Sequence, residues 1–176
     1  MSTYAERVGM ISDSQEGFQA HHGADRQAEH FVLTCEDARL CKQDLFALKL
    51  DFASAFNRVD HARLFYIMVQ LGFPEDAVAV VKGIYNGATT SVQTSSGDTE
   101  PVPISRGTIQ GDSLSPFLFT LFLEPLLRWL RAGGRGYRYG CIPNGAQECT
   151  SNDAFADDLI LMTGCPRQMQ SRYARF

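Results

Sequence analysis

The chain has 176 residues, 44% of them hydrophobic and including 12 Phe and 6 Tyr, enough for one domain with its own apolar core, which excludes a largely disordered polymer. Its formal net charge of −4 argues against a free-standing nucleic-acid binder, which draws affinity from cationic contacts to phosphate, but not against a site that holds cations. Five cysteines without a CxxC pair suggest neither a disulfide framework nor a zinc site, and the N-terminus lacks an apolar signal-peptide core, so free thiols in an intracellular protein, nuclear or cytoplasmic, are expected.

In chain order, residues 24–42 carry Ala28, Phe31, Val32, Cys35 and Ala38 at helical spacing and predict an amphipathic helix. Residues 45–51 (LFALKLD) are apolar except for Lys49 and predict a buried strand ending on Asp51. Asp60 caps a predicted helix with Leu64, Ile67, Met68 and Leu71 on one face, and Gly72 stops it. Pro74 opens the next, with a stripe of Val78, Val81, Ile84 and Tyr85. Residues 89–94 and 102–105, separated by a Ser-Gly-Asp turn region, predict a hairpin.

Residues 113–131 predict the longest helix, ended by Gly133 and Gly134. Ser115, Pro116, Thr120, Glu124, Pro125 and Arg128 interrupt its apolar run, so it reads as a buried helix and no membrane partner is expected. Residues 133–152 are rich in Gly and predict loop or irregular strand. Residues 154–162 (AFADDLILM) place two apolar arms around an aspartate pair, predicting a hairpin with the pair at its turn. The succession predicts an α+β domain, an antiparallel sheet with helices packed on one face.

Three segments carry candidate chemistry. In the first, 50–57 (LDFASAFN), a strand-end Asp51 is rigidly placed to act beyond the sheet, although such an Asp also serves as a simple turn cap. In the second, 106–116 (RGTIQGDSLSP), Gly107 and Gly111 allow close backbone approach to a ligand, and Gln110 offers a donor and an acceptor. Asp112 or Ser113 there can cap the long helix, whose N-terminus favours anionic groups such as phosphate; a capped loop before a core helix is the plainer reading. In the third, 155–159 (FADDL), adjacent carboxylates between apolar arms repel one another, a penalty that a dication removes and that an exposed turn would also avoid. Together they offer three hard carboxylates, a set suited to Mg²⁺, and two such ions ~4 Å apart can hold both oxygens of an in-line phosphoryl displacement.

The ordered set LDFASAFNRVDH, RGTIQGDSLSPFLF and FADD resembles motifs A, B and C of reverse transcriptases. The non-LTR retrotransposon type is most similar: QEGF at 15–18 resembles its fingers motif, and LGFPEDAV followed by IYNGATTSV resembles its spacer between motifs A and B. The likeness runs from about residue 5 to residue 164. It implies a polymerase palm-like antiparallel sheet with partial fingers and no thumb. It also implies transfer of dNMP to a primer 3′-hydroxyl, with Mg²⁺ (or Mn²⁺) as cofactor and an RNA template, a DNA primer and dNTP as partners. Asp51 and Asp157 match the metal-binding aspartates, the Phe52 carbonyl a backbone ligand, and Asp158 the second carboxylate near the primer end. Phe56 matches the aromatic ring beneath the sugar, and Gln110 and Gly111 match residues lining the incoming nucleotide.

By the same resemblance, 1–176 is a single partial core. Residues 1–44 and 61–105 are assigned mainly to fingers and fingers-palm helices, 45–60 and 106–165 mainly to palm, and 166–176 to a truncated tail. The family's basic stretch after QEGF is replaced by GFQAHHGAD, which removes its expected phosphate contacts; Arg26 is a candidate substitute that spacing does not establish, and His21 and His22 read as a solvated loop rather than a metal pair. The chain ends soon after Asp158, so thumb and endonuclease parts of a larger polyprotein are expected to be missing. The alternatives are a degenerate retroelement remnant that keeps only weak nucleic-acid binding, and a reverse transcriptase of group II intron type.

Overall fold

The computed structural model describes residues 2–109, 111–133, 135–140 and 148–174. The elements, in order, are α1 (Ser2–Arg7), α2 (Ala24–Cys41), β1 (Phe46–Leu50), a 3-10 turn (Ala55–Arg58), α3 (His61–Gln70), α4 (Glu75–Tyr85), β2 (Thr89–Thr90), β3 (Gln93–Thr94), β4 (Gly97–Asp98), β5 (Val102–Pro103), α5 (Ser115–Ala132), β6 (Tyr137–Arg138), β7 (Cys149–Thr150), β8 (Asn152–Phe155), β9 (Asp158–Thr163) and α6 (Pro166–Tyr173). They form two compact units, Met1–Ala53 with Leu123–Phe176, and Ser54–Phe122.

The first unit is built on an antiparallel sheet of order β1-β9-β8. Alternation along its strands gives two apolar faces, because successive side chains point to opposite sides. Leu48, Leu50, Ala154, Leu159 and Leu161 pack with Leu127 and Leu130 of α5 and Met169 of α6. Met162 and Ile160 lie on the opposite face with Phe31 and Ala38 of α2 and with Tyr137 of β6. The predicted hairpin forms as expected and β1 forms where predicted, but β1 is not the buried strand expected: its residues alternate between half-buried and exposed. The α+β architecture holds, with α2 packed on the face opposite α5 and α6.

In the second unit the Asp60 side chain accepts from Arg63 N at 2.9 Å, which opens α3 as predicted. Leu64 and Met68 of α3 and Val78, Val81 and Tyr85 of α4 are buried. Ile84, expected on that stripe, is exposed. The predicted hairpin at 89–105 is made of two short exposed pairs, β2 with β5 and β3 with β4.

Other features escape sequence periodicity. Residues 166–173, expected as tail, form α6, whose Arg172 is buried and donates to Ser151 O at 2.7 Å and Leu130 O at 2.6 Å. Those two carbonyls lie far from Arg172 in sequence, so no local pattern announces the role. Residues 133–152, expected as loop or irregular strand, contain the β6–β7 pair. Cys35, Cys149 and Cys165 are free thiols, but Cys41 is disulfide-bonded, a departure from the free thiols expected. No helix among the described residues is long and apolar enough to cross a membrane.

Candidate active site

The aspartates gather around one end of the three-stranded sheet. β8 and β9 pair down to Phe155 opposite Asp158, leaving Ala156 and Asp157 as a two-residue turn. Asp157 is thus at the tip, and Asp158 is the first residue of β9. On the other side of β9 the ladder with β1 ends at Leu50 opposite Leu159, so Asp51 leaves β1 at the register position facing Asp158. Period-two alternation puts Lys49, Asp51 and Asp158 on the face opposite the leucines. Lys49 Nζ lies 3.1 Å from Asp158 Oδ1, with Lys49 65% and Asp158 45% exposed, so the pair is open to solvent. Phe52 turns back against the leucine cluster, which fixes the chain just beyond Asp51.

The side chains at this end are carboxylates, hard oxygens of the kind Mg²⁺ takes. Among the described residues no three acidic, His or Cys side chains are grouped to hold a metal ion. Mg²⁺ needs no such cage, because one or two carboxylates suffice when waters and substrate phosphates complete the shell. The donor set therefore fits the ion.

The turn is not held by the sheet alone. Ala156 has φ 53°, a left-handed value at the first turn position, where glycine is usual. The segment QEGF, expected among fingers elements, runs beside β8 in the first unit. Ala154 N donates to Ser14 O at 2.6 Å, and Glu16 N donates to Ala154 O at 2.7 Å. Gln15 between them is wholly buried, and its carboxamide bonds both backbone groups of Ala156: Oε1 accepts from Ala156 N at 3.0 Å and Nε2 donates to Ala156 O at 3.3 Å. A Cβ on Gly17 would fall 2.4 Å from Ala156 N, so only glycine fits there. Periodicity and charge do not single out Gln15, although its place in a recognisable motif, two residues before a glycine, is an available signal.

Glu16 faces the other way, its carboxylate 3.0 Å from His22 Nδ1 and 3.5 Å from Arg26 Nε. Arg26, the suggested phosphate contact, is thus engaged within the protein. On the sheet face that also carries Lys49 and Asp158, His30 of α2 bridges Asp153 of β8 (Nδ1 to Oδ2, 2.6 Å) and the Tyr139 hydroxyl (Nε2, 2.6 Å). The hydrogen bond to Asp153 raises the His30 pKa above its ordinary value, overcoming the opposing effect of burial.

The remaining candidates belong to the second unit. Phe56 lies in the 3-10 turn and stacks on Phe119 of α5, ring centroids 4.2 Å apart. Its carbonyl accepts from Thr108 N at 2.9 Å, and Gly107 N donates to Val59 O at 2.8 Å. A Cβ on Gly107 would meet Asn57 Cα at 2.9 Å, so glycine is what lets the start of the RGTIQGDS loop lie against the 3-10 turn. Gly111 is exposed with φ 85°, and Asp112 Oδ1 accepts from Leu114 N at 3.2 Å just before α5 begins. Gln110, the other predicted nucleotide-lining residue, lies outside the described residues.

The family model for reverse transcriptase (RNA-dependent DNA polymerase) matches residues 3–175. The Retrovirus-related Pol polyprotein from type-2 retrotransposable element R2DM of Drosophila melanogaster is 31% identical over 147 residues, 84% of this chain and 13% of that polyprotein. The Pol polyprotein of the R2 element of Popillia japonica is 35% identical over 117 residues, covering 65% of this chain and 16% of its own length. The RNA-directed DNA polymerase from mobile element jockey of Drosophila melanogaster is 32% identical over 116 residues, 66% of this chain and 13% of that polymerase. The chain thus spans only 13% to 16% of these relatives' length. Among solved structures, telomerase from Candida tropicalis in complex with a fragment of telomeric RNA superposes with a TM-score of 0.68 at 13% identity, over 98% of this chain and 29% of that one. At that identity the superposition speaks for the fold, a polymerase palm-like one.

Proposed function

The chain belongs to the reverse transcriptase family, and on that premise we propose that it is the catalytic core of an RNA-directed DNA polymerase of the non-LTR retrotransposon type. The observation that carries the reading is the sheet register: β1 and β9 end together, with Asp51 and Asp158 at facing positions and Asp157 on the adjoining turn. Asp51, Asp157 and the Phe52 carbonyl would hold Mg²⁺, with Mn²⁺ able to replace it, and Asp158 would stand beside the primer end.

The bound cations would supply charge stabilisation to the phosphoryl group in flight. This chain's own part is placement. The β1–β9 ladder fixes the spacing of the carboxylates, and positioning of this kind accounts for much of the rate in phosphoryl transfer. Phe56, stacked on Phe119, would offer a rigid ring edge beneath the nucleotide sugar, and Gly111 with Gln110 would line the nucleotide. An RNA template, a DNA primer and dNTP are the corresponding partners, and template pairing would choose the base.

The test is metal-linked stability together with single-nucleotide addition to a primer on an RNA template. A ligand that binds only the folded state stabilises it by about 2.7 kcal/mol at a hundred times its Kd. Saturating Mg²⁺ is therefore expected to raise the denaturation midpoint of the wild-type chain, and Asp157→Asn is expected to abolish both that rise and nucleotide addition. Equal stabilisation of the two proteins by Mg²⁺ would overturn the metal assignment. A metal-binding chain that adds no nucleotide would favour the non-catalytic remnant.

A further inference from the structure

We propose that Gln15 is a positioning residue for the Asp157–Asp158 turn, its buried carboxamide gripping the Ala156 backbone and so setting where the carboxylates stand. The inference deepens the polymerase reading above and rests on it for the role of the aspartates, but not for the grip itself. Ala156 is the residue before Asp157, and its left-handed φ of 53° is disfavoured for any side chain but hydrogen. Such conformations persist only where the surroundings over-determine them. In a two-residue turn the ladder leaves the polar groups of Ala156 without strand partners, and here both go to one side chain.

A carboxamide of this length meets both needs at any pH, because it carries a donor and an acceptor on one planar group. The acceptor is itself held, since Gly17 N also donates to Gln15 Oε1 at 2.8 Å. The backbone that carries Gln15 is anchored on either side. Downstream and upstream, Glu16 and Ser14 bond Ala154 of β8. Further upstream, Ser12 N donates to the buried Glu124 carboxylate of α5 at 3.0 Å, and Arg128 donates to Met10 O at 2.9 Å while paired with Glu124 at 2.7 Å. The N-terminal segment is thus a strut between α5 and the turn, with Gln15 as its contact point. Partners that orient metal-binding groups typically influence metal affinity by about 10- to 100-fold.

The experiment compares the wild-type chain with Gln15→Met, which keeps length and volume but cannot hydrogen-bond, and with Val81→Ala, a core truncation in the other unit that sets the cost of destabilisation alone. Two quantities are read under conditions where all three proteins are folded: amide hydrogen exchange at Ala156 by NMR, and the Kd for Mn²⁺ alone. Gln15→Met is expected to speed Ala156 exchange at least about tenfold and to weaken Mn²⁺ about tenfold, with Val81→Ala moving neither. Unchanged Ala156 exchange in Gln15→Met, or a Mn²⁺ shift no larger than that of Val81→Ala, would overturn the proposal. If Gln15→Met does not fold, Gln15→Glu takes its place. The carboxyl group that this change introduces cannot donate to Ala156 O when ionised, but can when protonated. Ala156 protection relative to wild type should therefore recover as the pH falls, and a pH-independent ratio would count against the grip. A wild-type chain that binds no Mn²⁺ would defeat the metal reading, while the exchange comparison would still decide whether Gln15 holds the turn.

Discussion

At the scale of single residues, Lys49 sets a cation against one of the aspartates, its ammonium 3.1 Å from Asp158. It lies on the same strand and face as Asp51, so it offsets the like-charge repulsion of the group and stands where a divalent cation would compete. Exposed ion pairs contribute only ~0–1 kcal/mol, so its removal should barely alter the fold. Lys49→Ala is therefore expected to change stability by less than about 1 kcal/mol and to tighten Mn²⁺ binding by up to about fivefold, the equivalent of that energy. Titration calorimetry giving unchanged or weaker Mn²⁺ binding would show that Lys49 does not compete with the ion. Phe56 shows the opposite limit: its stacking on Phe119 is sufficient reason for an aromatic residue there, and a role beneath a sugar would be added to a packing role already filled.

At the scale of elements, α2 is tied to β8 mainly through polar contacts, with His30 between Asp153 and Tyr139. Asp153 is buried, so loss of its cationic partner leaves a carboxylate poorly compensated. The His30 pKa is raised in the folded protein from 6.5. The folded state then binds the proton more tightly than the unfolded chain, and the stabilisation is fully present below pH 6.5 and fades as the pH rises through the higher folded value. Denaturant melts of wild type and His30→Asn from about pH 6 to about pH 9 should show the wild-type advantage shrinking upward through that range. An advantage that is constant or grows with pH would exclude a protonated His30 as the link.

At the scale of the whole molecule, charge and extent matter more than any side chain. The net charge is −4, and the chain corresponds to 13% of the R2DM polyprotein. Affinity for a template–primer duplex depends on the number of phosphates neutralised and falls steeply with salt when that number is large. Arg26, a candidate for such contacts, is held 3.5 Å from Glu16 instead. The chain by itself is accordingly expected to add nucleotides one encounter at a time. Primer extension with a competitor trap added after the first turnover should give only very short products, and long products in the presence of the trap would show a duplex-holding surface that the net charge does not suggest.

The division between sequence and structure follows the range of the interactions. Periodicity and caps determined α2, α3, α4, β1 and the β8–β9 hairpin, because each is specified by neighbours within a few residues: Asp60 capping α3, leucines alternating along β9. The motif set likewise marks Asp51, Asp157 and Asp158 as candidate chemistry, but through the resemblance of their ordered motifs to a known family, since each aspartate taken singly also fits a turn or a strand-end cap. Tertiary structure decided what depends on distant partners: that Asp51 faces Asp158 across the β1–β9 register, that Lys49 pairs with Asp158, and that Arg172 caps carbonyls of α5 and the strand entry. It also brought QEGF, expected among fingers elements, to the back of the aspartate turn. A carboxamide announces nothing by itself in a sequence, because its hydrogen bonds acquire meaning only when folding brings Ala156 to Gln15, 141 positions away.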